Sequence, residues 1–273
     1  MCHAYSITTN VEAIRQMVQT IFRFDVAANI GNLTPQTGVY PDMLAPIIRN
    51  QPGFRELIKL RWGLPTSSQA LYKQAQDRAD RIAKKQGRDL TAEEFAELVR
   101  MEPDRGTHNV RNTKSAHWKR WLGPEFRCIV PFTSFAEVSS EIGPDGKKLG
   151  NTWFAFDDSR PLAFFAGIFA PQWTSVRKTS EGMITTDLFA FLTTDPNNVV
   201  AVANPDAMPV ILRTPEEIEI WMTAPWEEAQ KLQRPLPDGV LQIVSIGNKE
   251  DPPEDEEPPP TFAADDDPQP SLF

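Results

Sequence analysis

Four segments, RCIVPFTSFAEV (127–138), NTWFAFDDSRPLAFFAGIFAPQW (151–173), LFAFLTTD (188–195) and LQIVSIG (241–247), constrain the fold of this chain more than any other feature. Their β-branched and aromatic content reads as strand, and ELIKLRWGLPTS adds a strand that ends at a Gly-Leu-Pro turn. The helical stretches stand apart from them. TTNVEAIRQMVQTI has apolar residues at helical spacing behind a cap at Thr9 or Asn10. Residues 68–101 hold two charged amphipathic helices split at Gly87, the second capped by Thr91 with Glu94 three residues on. TPEEIEIWMTAP is a short capped helix, and the proline-broken NLTPQTGVYPDMLAPIIRN reads as loop plus a short strand. This order has no strand–helix–strand rhythm, so an α+β fold is expected rather than a doubly wound one.

With 7 Trp and 16 Phe in 273 residues, the chain can fill one large core, and a single domain is expected over residues 1–249. Of the 37 acidic residues nine lie between Glu250 and Phe273, where there is no Lys or Arg, leaving 28 acidic and 28 basic residues in the body. The segment 250–273 is rich in proline and acid and buries too little to offset its ordering entropy, so it is expected to be a disordered tail. No apolar run reaches membrane-spanning length and no signal peptide is evident, so a cytoplasmic protein with no membrane partner is expected. Two cysteines, Cys2 and Cys128, make no disulfide framework. The three histidines and two cysteines show no ligand spacing, and neither a metal nor a cofactor is expected.

Cys2 directly follows Met1. Trimming of the initiator methionine would leave an α-amine and a thiol on adjacent carbons, with ordinary pKa values near ~8 and ~8.5, so both are partly available at neutral pH. Cys128, in an apolar strand, reads as core. Within THNVRNTKSAHWKRWLGPEFR five basic residues face one acid and are interleaved with Trp118 and Trp121. Such a stretch suits pairing of phosphates and stacking of bases, and equally suits a solvated face over two core tryptophans.

Together with Cys2, the stretches GNLTP (31–35), RWGL (61–64), HNVRN (108–112), CIVPFTSFAEV (128–138) and ANPDAMPVIL (203–212) give, in order, a pattern that resembles the SRAP family, the SOS-response-associated peptidase domains that crosslink to abasic sites in single-stranded DNA. The likeness runs from residue 2 to about residue 250. It implies a single SRAP-type domain with a twisted, barrel-like, mainly antiparallel sheet flanked by helices. It also implies a monomeric, nucleoid-associated protein whose partner is single-stranded DNA containing abasic sites.

Chemistry agrees with what the resemblance implies for the residues. An abasic sugar is in part an open aldehyde, and a 1,2-aminothiol traps it: the amine condenses to an imine and the thiol closes a thiazolidine. Only Cys2, after loss of Met1, has both groups. Glu137 matches the family's acid and would move protons during ring opening and dehydration; its alternative is a surface carboxylate. Asn109 would hold the sugar or its phosphate, and Arg111 and Lys114 would pair flanking phosphates; Arg111 could instead serve in a structural ion pair. Pro35 and Trp62 match positions that pack against bases, with Trp62 alternatively a core residue, and Arg61 would touch phosphate. Where the family carries a proton-relaying histidine this chain has Asn204, which hydrogen-bonds but does not titrate; His3 is the possible substitute. The chain also has His3 and Ala4 where the family has Gly and Arg, and Asn112 in place of an acid. Two other functions fit the same residues: an N-terminal-nucleophile thiol peptidase or amidohydrolase, and a module that binds damaged single strands without covalent chemistry.

Overall fold

The computed structural model describes residues 2–22, 26–28, 34–139, 146 and 149–251. Cys2 and His3 lead into β1 (Ala4–Ile7). Asn10 caps α1 (Val11–Phe22), its side-chain oxygen accepting from the Ala13 N–H at 2.8 Å. There follow β2 (Val26–Ala28), β3 (Gln36–Val39), β4 (Leu44–Gln51) and β5 (Phe54–Trp62). The helical pair comprises α2 (Ser68–Gln86), closed by Gly87 at φ 70°, and α3 (Ala92–Arg100), opened by the reciprocal Thr91–Glu94 capping box. Next come β6 (Asn109–Val110), α4 (Ala116–Lys119), β7 (Arg127–Phe132), β8 (Ser134–Val138), β9 (Asn151–Ala155), β10 (Ala163–Val176) and β11 (Met183–Thr194). The chain continues through α5 (Asn198–Ala201), β12 (Met208–Pro209), β13 (Ile211–Leu212), α6 (Pro215–Thr223) capped by Thr214, α7 (Trp226–Ala229) and β14 (Gln242–Ile246).

The expected α+β fold with a barrel-like, mainly antiparallel sheet is what forms. Strands β11, β10, β7, β4 and β5 are neighbours in that order, and a parallel pairing of β5 with β11, Arg61 opposite Leu188 and Trp62 opposite Phe189, closes the ring. Its interior is aromatic: Phe132 lies flat on Phe165 at 3.8 Å, and Phe165 meets Phe191 at 4.5 Å. The second sheet runs β14-β9-β8-β1-β3.

Three expectations change. RCIVPFTSFAEV is two strands, not one: β7 serves the barrel and β8 the second sheet, with Thr133 as the only residue between them. The proline-broken 32–50 segment holds a full eight-residue strand, β4, across Pro46. Proline is borne there because β4 pairs β7 only at Ile48 and Arg49, which leaves one side of Pro46 open. Glu250 and Asp251, assigned above to the acidic tail, are held by the body: Thr37 donates to the Glu250 carboxylate, and Asp251 is 0% exposed and paired with Arg160 at 2.7 Å. The rest of the expected tail lies outside the described residues, as do Met1 and the Asn32 of GNLTP.

Candidate functional site

The site is assembled from four segments remote in sequence. β1 pairs antiparallel with β8, Ala4 opposite Ala136, and this register carries Cys2 and His3 alongside Glu137. β6 pairs parallel with β11, Asn109 opposite Phe191, and from there the Asn109 amide nitrogen donates to the Cys2 carbonyl oxygen at 2.7 Å. Asn204 follows α5, its own N–H bonded to the Val200 carbonyl at 2.9 Å. Its side-chain nitrogen donates to Glu137 Oε2 at 3.0 Å while its oxygen accepts from the Asp206 N–H at 3.1 Å. Both ends of that amide are used, so its orientation is settled and it presents a donor to the carboxylate.

Burial sets the electrostatics. Cys2 and Glu137 are each 1% exposed. Desolvation pushes the Glu137 carboxyl up to about 7, against the hydrogen bond from Asn204 that favours its ionised form. Desolvation, with the Glu137 charge second, raises the Cys2 thiol well above its ordinary value. The thiol donates to the Ala4 carbonyl at 3.3 Å. Asn109 Oδ1 and the Tyr5 hydroxyl are buried without a partner among the described residues. The Tyr5 phenol lies within electrostatic reach of Cys2.

His3 is held by Asn151 on β9. Its Nε2 lies 3.1 Å from Asn151 Oδ1, while the Asn151 nitrogen donates to the Lys249 carbonyl at 3.2 Å. A carbonyl only accepts, so Asn151 must offer its oxygen to His3, and His3 Nε2 carries the proton. Burial lowers the pKa of His3, so the ring is neutral and Nδ1 bears a lone pair, buried without a partner among the described residues.

The residues expected to meet DNA are dispersed, and two are corrected. Trp62 is 0% exposed, stacked on Phe191 at 5.2 Å and donating to the His108 carbonyl at 2.9 Å. It is a core residue with no face left for a base. Arg61, 11% exposed on its side chain, holds Glu181 with two nitrogens at 2.9 and 3.0 Å and Asp42 at 2.8 Å, so it serves an ion-pair network rather than a phosphate. Arg111 is 42% exposed on its side chain and pairs with Asp195, the alternative the sequence left open. It also donates to the Asp206 carbonyl at 3.3 Å, which puts it at the edge of the Asn204 loop. Lys114 and Pro35 are exposed, Pro35 immediately before β3. In the basic stretch Arg127 is fully buried on the carbonyls of Leu122, Trp221 and Ala224, and Trp121 is a core residue under Arg120.

Sequence reasoning overlooked Asn151, Ser134, Tyr5 and Asp251. For Tyr5 the strand position beside Cys2 was a usable signal. Asn151 lies 148 residues from His3, and no local pattern marks it.

A family model described as SOS response associated peptidase (SRAP) matches residues 100–249, a span that contains Asn109, Glu137 and Asn204 but not Cys2. No curated protein matches the chain. Among solved structures, a protein from Bacteroides thetaiotaomicron is similar at 20% identity and TM-score 0.59, covering 88% of this chain and 90% of its own. A protein from Bordetella bronchiseptica matches at 19% identity and TM-score 0.53, covering 88% and 97%. A phage-related protein from the same organism matches at 17% identity and TM-score 0.52, covering 85% and 87%. At these identities the likeness is one of fold.

Proposed function

The chain belongs to the SOS response associated peptidase family, and from that premise we propose that it recognises abasic sites in single-stranded DNA and captures them covalently through Cys2 once Met1 is removed. The observation that carries this reading is the convergence of Asn109 on the Cys2 backbone and of an Asn204-bonded Glu137 on its thiol.

The reaction combines an aldehyde with an aminothiol and releases one water. Glu137, with a pKa about 7, exists in both forms at neutral pH, so it donates a proton to the sugar ring oxygen during opening and recovers one from the C1′ hydroxyl as the aldehyde forms. The α-amine of Cys2 attacks C1′, and the carbinolamine loses water to give the imine. The sulfur then adds to the imine carbon, its proton passing to the nitrogen. Asn109 fixes the Cys2 carbonyl and so limits rotation of the aminothiol, an orientation effect. Asn204 holds Glu137 at the site but relays no proton; were His3 to substitute, its Nδ1 lone pair is the atom that would accept one. Arg111, Lys114 and Pro35 supply the surface that DNA would follow.

The raised thiol pKa favours this reading over a thiol peptidase. A peptidase needs the thiolate as its first nucleophile, whereas here the amine attacks first and the thiol can remain protonated until the imine has formed.

The test is incubation of the full chain with single-stranded DNA bearing one abasic site. An adduct that survives heating in detergent, with an intact mass lacking Met1 and one water, is expected. No adduct, or one that retains Met1, would overturn the mechanism.

A further inference from the structure

The segment that follows β14 crosses the second sheet and is tied to the nucleophile's strand through two intermediaries, Asn151 and Ser134. Trp153 on β9 donates to the Asn248 carbonyl at 2.9 Å and Asn151 donates to the Lys249 carbonyl at 3.2 Å. The Asp251 N–H bonds the Thr37 carbonyl on β3 at 2.9 Å, and the Asp251 carboxylate accepts from Arg160 Nη2 and Nε, at 2.7 and 2.8 Å. Ser134 on β8 donates to the same carboxylate. We infer that residues 248–251 act as a strap that positions Cys2, with Asp251 as a positioning residue for the capture chemistry; the catalytic part of this inference rests on the reading given under Proposed function.

A hydroxyl has one hydrogen to give, and an ionised carboxylate only accepts. Ser134 spends its hydrogen on Asp251, so in its 2.8 Å contact with Ser6 it must accept. Ser6, on β1, therefore donates to Ser134 and accepts from Thr133 at 2.8 Å. Thr133 in turn accepts from the Thr8 hydroxyl and N–H, both at 3.4 Å. One buried carboxylate thus sets the direction of a polarised chain, Thr8 to Thr133 to Ser6 to Ser134, each bond strengthening the next. The chain runs from one end of β1, through its middle, to the strap. The other end of β1 is tied through His3 and Asn151 to Lys249, and that link also fixes the His3 tautomer. Cys2 lies next to this second tie.

The experiment uses the full chain and two readouts: amide hydrogen exchange over Ala4–Ile7, and the maximal rate of adduct formation at saturating abasic single-stranded DNA. Ser134→Ala keeps the Asp251–Arg160 pair and cuts only the hydroxyl chain; Asp251→Asn removes its anionic end. Arg55→Gln, which breaks the remote Arg55–Glu219 pair, is the control for general destabilisation. In both strap variants exchange over β1 should speed at least tenfold and the maximal rate should fall about tenfold, with the half-saturating DNA concentration unchanged. In Arg55→Gln the rate per folded molecule should not move. Wild-type exchange over β1 in Ser134→Ala and Asp251→Asn would overturn the inference. So would a rate loss no greater than that of the control at equal loss of melting temperature. If wild-type protein forms no adduct, the capture reading fails, and the exchange data still decide whether the strap holds β1.

Discussion

Cys2 and Cys128 are both buried, and in both burial raises the thiol pKa, yet the two regions around them differ in kind. Cys128 lies in β7 opposite Gly167, whose missing side chain leaves room for the sulfur: a Cβ there would come within 2.8 Å of it. Its carbonyl accepts from the Trp221 indole at 2.9 Å, and the Tyr5 phenol lies within electrostatic reach of it as of Cys2. Around Cys2 there are in addition a carboxyl at about 7 and an amide whose oxygen has no partner among the described residues. Burying polar groups without partners costs about 1–3 kcal/mol each. The carboxyl and the amide stand beside one thiol and not the other, where the proposed capture chemistry would use them.

The largest test of that contrast exchanges the thiols' fates. Cys2→Ala should abolish the stable adduct and Cys2→Ser should leave at most a borohydride-reducible imine. Cys128→Ala should cost on the order of 1 kcal/mol in stability with the adduct rate within about twofold of wild type. Intact-mass measurement and thermal melts check both, and an adduct mapping to Cys128 would erase the distinction.

Next in size is Glu137→Gln, expected to slow capture by about 10²-fold while stabilising the protein at alkaline pH. The sign follows from linkage. The folded carboxyl titrates near 7 and the unfolded one near 4.5, so between those values the folded state binds more protons and stability falls as pH rises. The penalty is complete above pH 7, at roughly 3 kcal/mol from the size of that shift, and is absent below about pH 4.5. Melts of wild type and variant should therefore diverge across that window, and capture that uses the protonated acid should slow as pH rises through about 7. Parallel melting curves would show that Glu137 is not held in its neutral form.

A smaller change is expected from Asn204→His, which restores a titrating group beside Glu137. Ring opening or adduct reversal should quicken several-fold, most below ~6.5 where imidazole is a donor. The gain should vanish in the Glu137→Gln background, since contacting groups on one proton path are not additive. Adding His3→Ala separates substitution by His3 from simple loss of the relay.

The smallest effect belongs to the surface. Arg111→Ala removes an exposed pair with Asp195, so stability should move by less than about 1 kcal/mol. If Arg111 exchanges Asp195 for a phosphate, the log–log salt dependence of single-strand binding should lose roughly 0.7 of its slope. An unchanged slope would leave Arg111 as a structural ion pair.

Local patterns carried much of the fold. The caps at Asn10, Thr91 and Thr214 and the stop at Gly87 all form, because capping is decided by a few adjacent residues. The α+β class was legible for the same reason, since strand and helix periodicities are local. What could not be read was the break at Thr133 between two sheets, or a strand through Pro46. Both depend on which neighbours lie alongside. The same limit explains Trp62 and Arg61: their residue types suit DNA, but whether an indole faces solvent or Phe191 is settled by barrel closure.

For the site, the sequence by itself determined the chemistry available: an aminothiol at Cys2 once Met1 is lost, a carboxyl at Glu137, amides at Asn109 and Asn204, and an acid-rich segment after residue 249. Tertiary structure decided what those groups are. It desolvated Glu137 toward neutrality, set the tautomer of His3 through Asn151, and drew Asp251 out of the acidic segment to polarise a chain of hydroxyls under β1. The physical reason is that pKa, tautomer and hydrogen-bond direction are properties of the surroundings of a group. Those surroundings come from residues 67 to 148 positions away, brought into contact only when the two sheets close on one another.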